Sequence, residues 1–330
     1  MKRIYAPVMV GLSLALLLVG CGSEIVDDGP IEVGDETSED AAVDETSSDD
    51  ADDDGQQDDG ADDIDDTSDE EAEDDADESD EEDTTTVRLY YLAPGGDTPA
   101  RAGPFLTSVE REIPSTPGIA LATLRELVDG PAEDDQQLLD DLSTSVPEDT
   151  LVLGVTIDDG LATVDLSREF ESGGGSFSMF SRLAQVVYTV TQFPTVDEVS
   201  FELDGEPVTA FSGEGIMLDE PVSRDDYLDL LPAVFVDEPA AGAEVESGME
   251  VTGMATVFEA TFLYRLETAD GTVLDEGTAM AESGVETSPF DFTIDYDVDE
   301  EQQGTLTVWE ESAQDGSVQG ERVTPLTLRP

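Results

Sequence analysis

Residues 151–166 have the sequence LVLGVTIDDGLATVDL, in which apolar and polar residues alternate on either side of Asp159-Gly160. An Asp-Gly pair between two alternating segments is a strong signal for a two-residue β-hairpin. We therefore predict a strand over residues 151–157 and a returning strand over residues 161–166. This hairpin is the centre of a first folded region.

Two helices are predicted around this hairpin. Apolar residues recur at helical spacing from Ile119 until Gly130-Pro131 ends the helix. A second helix follows the glycines at 173–175 and ends at Phe193-Pro194. Its expected buried residues are Phe177, Phe180, Leu183, Ala184, Val187 and Val190.

Further strands precede and follow the helices. Val87, Leu89 and Tyr91 share one face of the first strand. Alternation resumes at residues 199–203 and ends at the turn Asp204-Gly205. The order strand, helix, hairpin, helix, hairpin predicts a compact α+β sandwich over residues 87–212, with the helices on one face of the sheet.

Several stretches of this region resemble the GerMN domain of spore-germination-type lipoproteins. They are LVDGP at 127–131, VDLS at 164–167 and LAQVVYTVTQFP at 183–194, in the order that the family shows. RDDY at 224–227 resembles the tail that such domains often carry. The resemblance implies a noncatalytic domain that acts in envelope assembly or binding.

Four polar residues along the second helix are the candidates for ligand binding, because folding alone does not explain them. They are Gln185, Thr189, Thr191 and Gln192. A hydrogen-bonding structural role stays open beside ligand contact. We predict no catalytic residue and no metal ligand in this set.

The second folded region, residues 232–330, follows a connector at 213–231 and contains strand patterns only. About seven short strands with regular turns predict an all-β immunoglobulin-like sandwich. Residues 258–266 alternate as one long strand, FEATFLYRL. Glu259 in that strand is expected either to face solvent or to pair with a buried arginine.

This region resembles Gmad2, an immunoglobulin-like domain that is often found beside GerMN. The residues that carry the resemblance are VTGMA at 251–255 with VFEA at 257–260, SPF at 288–290, GTL at 304–306 and DGS at 315–317. The two resemblances together imply a GerMN-like domain followed by a Gmad2-like domain.

Residues 1–20 have the three parts of an export signal: the basic pair Lys2 and Arg3, an apolar run, and small residues before Cys21. Leu18-Val19-Gly20-Cys21 resembles the lipobox of bacterial lipoproteins. The resemblance implies cleavage before Cys21, lipid on its thiol, and a stable membrane anchor outside the cytoplasm. The alternative is an ordinary signal peptide with an incidental cysteine.

A long acidic segment follows the cysteine. Residues 22–86 contain 33 acids and no base, so we predict a disordered tether over 21–86. Fully stretched, it would reach about 200 Å. Asp50, Asp52, Asp54 and Gly55 match the opening of an EF-hand loop, but Ala61 stands where the bidentate glutamate is needed, which argues against one.

Composition excludes several enzyme classes. The chain has no histidine, one cysteine, and a single lysine in the leader, Lys2, so a Ser-His-Asp triad, a Ser-Lys dyad and a Walker lysine are absent from the mature sequence. We predict no cofactor. The net charge of −71 argues against nucleic-acid binding and leaves two explanations, a high-salt habitat typical of halophilic proteins or a cationic partner.

The expected function is that of a noncatalytic envelope lipoprotein. Its partner is expected to be an envelope protein or peptidoglycan, and self-association is left open. The alternative is a cell-wall hydrolase that uses paired carboxylates, which a raised carboxylate pKa inside a pocket would favour.

Overall fold

A computed structural model describes residues 83–95, 103–213 and 215–330. The predictions for the leader, for lipid on Cys21, for the EF-hand opening and for nearly all of the tether fall outside these residues. None of the helices among the described residues is long and apolar enough to cross a bilayer.

The first region contains eight strands and three α-helices in its described part. In chain order they are β1 (Thr84–Ala93), β2 (Phe105–Pro114), α1 (Ile119–Asp129), α2 (Glu133–Leu138), β3 (Val152–Asp158), β4 (Gly160–Leu166), α3 (Ser176–Val190), β5 (Val196–Leu203), β6 (Glu206–Pro207), β7 (Ala210–Phe211) and β8 (Ile216–Met217). The main sheet has the order β3-β4-β5-β6, and only its β4–β5 pair is parallel.

The predicted central hairpin is confirmed as β3 and β4. Asp159 and Gly160 both have positive φ, 47° and 88°, as a two-residue hairpin turn requires. The parallel β4–β5 pair needs a crossover connection, and α3 supplies it. The α+β sandwich is therefore built around a strand–helix–strand unit.

α3 lies between two layers of strands, because it contacts both β1 and β5. Leu183 and Val187 of α3 share one core with Val164 of β4 and Phe201 of β5. The expectation that Phe177 is buried is wrong, since its side chain is 48% exposed at the first turn of the helix. Burial of α3 on most sides is what a helix between two layers requires.

The sequence patterns did not reveal β2 or α2. β2 carries three charged residues, Glu110, Arg111 and Glu112, which mask its alternation. It pairs with β1 along ten residues. Tyr90 and Leu92 of β1 are buried, and so is the predicted apolar face of that strand, which consists of Val87, Leu89 and Tyr91. The β1–β2 hairpin is therefore covered on both faces.

The second region is a sandwich of two sheets, as predicted. Its strands are β9 (Val234–Glu238), β10 (Glu244–Val245), β11 (Met249–Ala255), β12 (Thr261–Thr268), β13 (Val273–Met280), β14 (Ser288–Ile294), β15 (Gln302–Glu311) and β16 (Val318–Leu328). One sheet has the order β10-β16-β15-β12-β13 and the other β14-β11-β9. Phe262, Leu266, Phe290 and Leu306 lie in the core between them.

One strand of this sandwich is shorter than predicted. Residues 258–260 form a turn of 3-10 helix, so β12 begins at Thr261 and not at Phe258. Glu259 and Ala260 have positive φ, which breaks the alternation. Glu259 is exposed, so it follows the solvent-facing alternative and does not pair with a buried arginine.

The two regions pack against each other within one compact unit. A short 3-10 helix, Arg224–Leu230, leads from the first region to β9. Glu110 N–H of β2 donates to Ala241 O at 2.8 Å, and Ala241 N–H donates to Ser108 O at 3.1 Å. These bonds extend the outer edge of β2 into the second region.

Candidate functional site

The polar residues of α3 satisfy the free edge of β1. Gln185 Nε2 donates to Tyr90 O at 2.9 Å, and Tyr90 N–H donates to Thr189 Oγ1 at 3.4 Å. Gln192 accepts from Arg88 N–H at 2.8 Å and donates to Arg88 O at 2.7 Å. Gln185 and Thr189 lie one turn apart on one face of α3, and Gln192 lies in the turn just after the helix. The helix and this turn together take the place of a neighbouring strand.

The four predicted binding residues differ in how far they are buried. Gln185 and Thr189 are fully buried, and Thr191 donates to Val187 O at 2.7 Å. The side chains of these three residues form hydrogen bonds inside the protein. Gln192 is half-buried and lines an open cleft, so it is the one of the four that reaches a candidate site.

A partly buried ionic cluster joins the two regions next to this helix. Arg224 Nη1 donates to Asp237 Oδ2 at 2.7 Å, Arg224 Nε donates to Thr191 Oγ1 at 2.8 Å, and Nη2 donates to Tyr90 Oη at 3.0 Å. Tyr90 Oη donates to Asp237 Oδ1 at 2.5 Å. The guanidinium also lies 4.7 Å from the ring centre of Tyr188, within cation–π range.

Burial and nearby charges together raise the pKa values of Tyr90 and Arg224 in this cluster. Burial raises the pKa of Tyr90, and the nearby Asp237 carboxylate adds to the shift. For Arg224 burial acts to lower the pKa, but Tyr90 and Asp237 outweigh it, and the net pKa is raised. The cluster therefore holds a protonated phenol and a permanent guanidinium around one carboxylate.

Arg88 connects this cluster to the open cleft. Its Nη1 donates to Asp237 O at 3.4 Å and also pairs with the Glu238 carboxylate. Arg88 itself is held by the bonds between its main chain and Gln192. The position of this arginine is thus fixed by α3 from one side and by β9 from the other.

The cleft has a volume of about 810 Å³ and lies between the two regions. The first region contributes the start of β1, Gln192 and Phe193, and the second contributes residues 238–240 and 243–250. Its charged lining consists of one arginine, Arg88, and five glutamates: Glu110, Glu238, Glu244, Glu246 and Glu250. Val87, Ile119, Phe193 and Met249 give it apolar patches.

Glu110 differs from the other glutamates of the cleft because it is half-buried. Burial raises the pKa of its carboxyl above the ordinary value, and although Arg88 opposes this shift, Glu244, Glu112 and Glu238 add to it. None of the described arginines forms an ion pair with Glu110. Glu110 therefore presents to the cleft a carboxyl that Arg88 stabilises only from a distance.

The carboxylates of the cleft can bind a cation, and the carboxyl of Glu110 can also exchange a proton. Carboxylates accept hydrogen bonds from ammonium and guanidinium groups, and such charge-assisted bonds are the strong ones. Among the described residues no cluster of acids has the arrangement needed to hold a metal ion.

The sequence did not single out the residues of the cluster and the cleft. Arg224 appeared only within the RDDY tail, and Glu110 lies on the strand that the patterns missed. One signal was available: arginines are few in this acidic chain, so each of them is expected to have a specific partner. That signal marks Arg88 and Arg224 but not the glutamates around them.

Comparisons with known families match both regions. Residues 88–209 match the Germane family model, described as sporulation and spore germination, and residues 233–317 match Gmad2, described as an immunoglobulin-like domain of bacterial spore germination. The chain carries a GerMN-like domain followed by a Gmad2 domain. The GerMN-like domain supplies α3 and the β1–β2 hairpin, and the Gmad2 domain supplies Asp237 and most of the glutamates.

Solved structures give weaker similarities. The first GerMN domain of the sporulation protein GerM from Bacillus subtilis is 22% identical, with 43% of this chain and 99% of that chain covered and a TM-score of 0.35. The tandem GerMN domains of the same protein are 19% identical, with 64% and 62% covered and a TM-score of 0.37. A candidate lipoprotein from Clostridium perfringens is 20% identical, with 45% and 93% covered and a TM-score of 0.31. The comparison with curated proteins gives no match.

Proposed function

We propose that this protein is a lipid-anchored envelope module that binds a cationic group of an envelope partner in the cleft between its two domains. The observation that carries the proposal is the cleft lining, whose charged residues are five glutamates and one arginine. Glu238 pairs with Arg88 and Glu244 pairs with Arg329, which leaves three of these carboxylates without an ion pair to a described arginine. Neither family description names a catalytic activity. The partner is an envelope protein with a basic segment or peptidoglycan that bears free amines.

The membrane anchor rests on the leader and on Cys21, the only cysteine of the chain. Two or three acyl chains on one residue are enough for stable anchoring, whereas a single chain is marginal. The acidic residues after Cys21 would then hold the folded domains away from the membrane. Cell fractionation tests the anchor: the wild type stays with membranes, and Cys21→Ser is released into the soluble fraction.

The cleft is tested with two double variants of equal net charge. Glu246→Gln with Glu250→Gln removes two carboxylates from the cleft. Glu198→Gln with Glu202→Gln removes two from β5, outside the cleft, and serves as the control. If the cleft binds the partner, only the first variant loses retention of the full-length protein on envelope extract.

Two assays within this experiment distinguish a peptidoglycan ligand from a protein partner. Cosedimentation with purified peptidoglycan, lost in the cleft variant, identifies wall amines as the ligand. Retention of one membrane protein with no cosedimentation identifies a protein partner. Equal behaviour of the two double variants in both arms would show that overall acidity and not the cleft controls binding.

A second candidate is a carboxylate-dependent wall hydrolase, and the raised pKa of Glu110 is the observation in its favour. A general acid with a raised pKa beside a second carboxylate is the arrangement that glycoside hydrolysis needs. Release of soluble glycan fragments from peptidoglycan, abolished by Glu110→Gln, would support it. Cosedimentation without any release favours the binding module.

A further inference from the structure

Three large apolar side chains are exposed at one end of the Gmad2 sandwich. Phe258 is 67% exposed, Met280 65% and Val285 95%. Phe258 lies between β11 and β12, Met280 ends β13, and Val285 lies in the loop between β13 and β14. We call these side chains, with the two loops 256–260 and 281–287, the apolar tip.

The two loops of the apolar tip are joined to each other by hydrogen bonds. Ala281 N–H donates to Ala260 O at 2.8 Å, and the hydroxyls of Thr256 and Thr287 lie 2.5 Å apart. Gly284 packs so closely on the first loop that a Cβ there would lie 2.5 Å from Ala260 N. The three apolar side chains are therefore carried by one connected surface.

The loop that bears Val285 is also closed internally. Ser283 N–H donates to Ser288 Oγ at 2.8 Å, and Ser288 Oγ donates to Ser283 O at 3.1 Å. Val285 N–H donates to Ser283 Oγ at 3.3 Å. These bonds hold the loop backbone while leaving the Val285 side chain in solvent.

The backbone before β12 turns Phe258 away from the core. Glu259 and Ala260 have φ values of 55° and 59°, in the left-handed region that residues other than glycine rarely adopt. Without this turn the alternation would place Phe258 on the same face as Phe262, which is fully buried. Strain of this kind is found at binding and switch sites more often than elsewhere.

Charge around the apolar tip indicates the kind of surface it fits. Glu259, Glu282 and Glu286 are exposed in the two loops, and neither loop contains an arginine. Three carboxylates oppose contact with an anionic lipid surface. Apolar anchors with acidic neighbours complement a protein surface that has an apolar pocket and basic residues at its rim.

We infer that the apolar tip docks into an apolar pocket of a second protein, and that arginine or lysine residues of this partner face the three glutamates. This surface is distinct from the cleft, which receives a cationic group through carboxylates alone. Docking would bury Phe258, Met280 and Val285, and so remove apolar surface that is otherwise left in water.

The test starts with a photo-crosslinking residue in place of Val285 in the full chain, expressed in its own cells. The control carries the same residue in place of Val318, which is 53% exposed on β16. We expect a single protein adduct at position 285 and none at 318. The captured protein is then purified and titrated against the variants.

Titrations of the wild type and of three double variants decide the proposal. Phe258→Ser with Val285→Ser is expected to weaken binding tenfold or more, and Glu282→Gln with Glu286→Gln several-fold at low salt. Phe177→Ser with Val318→Ser removes a phenylalanine and a valine exposed elsewhere, and should stay within twofold of wild type. Adducts only with lipid, only with a second copy of this chain, or with nothing would overturn the proposal, as would equal affinities of the two serine variants.

Discussion

Asp237 of the second domain bonds through its side chain to residues outside that domain. Its carboxylate accepts bonds from Arg224 and Tyr90, and Arg88 Nη1 lies 3.8 Å from its Oδ2. The side chains of Asp237 and Arg224 are only 18% and 26% exposed. Removing this charge leaves a partly buried guanidinium without its counter-ion.

Asp237→Asn is therefore expected to lower the free energy of unfolding by about 2–3 kcal/mol, less than for a fully buried pair because some solvent reaches the site. The control is Glu276→Gln, which breaks an ion pair to Arg265 on an exposed strand. Exposed pairs contribute about 0–1 kcal/mol. Urea unfolding of both variants at one salt concentration checks this, and equal losses would contradict a special role for Asp237.

Gln185 gives a second prediction at the scale of one residue. Its amide donates to Tyr90 O and accepts from Ser145 N–H at 2.8 Å. Gln185→Ala leaves both main-chain groups without a partner, so we expect a loss of about 1–3 kcal/mol in the free energy of unfolding. Gln137→Ala, in the exposed part of α2, is the matched control and should change it by less than about 0.5 kcal/mol.

Arg182 bonds to the main chain of one loop, residues 168–175, which begins with a turn of 3-10 helix. Its guanidinium is 2% exposed and donates to Phe170 O at 2.6 Å, Ser172 O at 2.9 Å and Gly173 O at 3.2 Å. Burial lowers the pKa of Arg182. The carbonyls of this loop thus replace a carboxylate partner for the buried cation.

Arg182→Met is expected to free this loop while α3 remains helical, because methionine fills similar space but donates no hydrogen bond. Amide hydrogen exchange over residues 168–175 should become at least tenfold faster. Arg125→Met, on the exposed side of α1, should leave exchange in that loop unchanged. Unchanged protection in Arg182→Met would show that the loop is held by other contacts.

Elements with a clear local pattern could be predicted from the sequence, and elements without one could not. The β3–β4 hairpin and α3 follow from alternation, the Asp159-Gly160 turn and helical spacing. β2 was missed because its charged residues have partners or surroundings that only the tertiary structure creates: Glu110 lines the cleft, and Arg111 pairs with Glu126 of α1 and Asp135 of α2. The turn at 258–260 was missed because two left-handed residues leave no mark in a hydrophobicity pattern.

The cleft itself could not be predicted because its residues are distant in sequence. Glu110 comes from β2, Gln192 from the end of α3, and Glu250 from β11. What the sequence supplied was the excess of acids, and with it the expectation of a cationic partner or a salty habitat. The placement of five of those acids in one cleft with Arg88 required the packing of the two domains.

The charge of the whole molecule leads to a prediction about salt. After residue 86 the chain has fifty acids and ten arginines, so the folded domains repel themselves at low ionic strength. We expect the urea midpoint of unfolding to rise steadily as sodium chloride is raised, because salt screens this repulsion. A midpoint that stays constant or falls would contradict both the screening argument and the proposal of a high-salt habitat.

The most direct test of the central claim is calorimetric titration of the full-length Cys21→Ser protein with pentalysine at constant salt. The account predicts binding that is lost in the Glu246→Gln, Glu250→Gln variant and kept in the equally charged Glu198→Gln, Glu202→Gln variant. It also predicts weakening as pH falls through the raised pKa of Glu110, whose protonation removes one carboxylate, and a smaller pH dependence in Glu110→Gln. Equal loss of affinity in both double variants would contradict it, because the cleft would then have no role beyond its contribution to net charge.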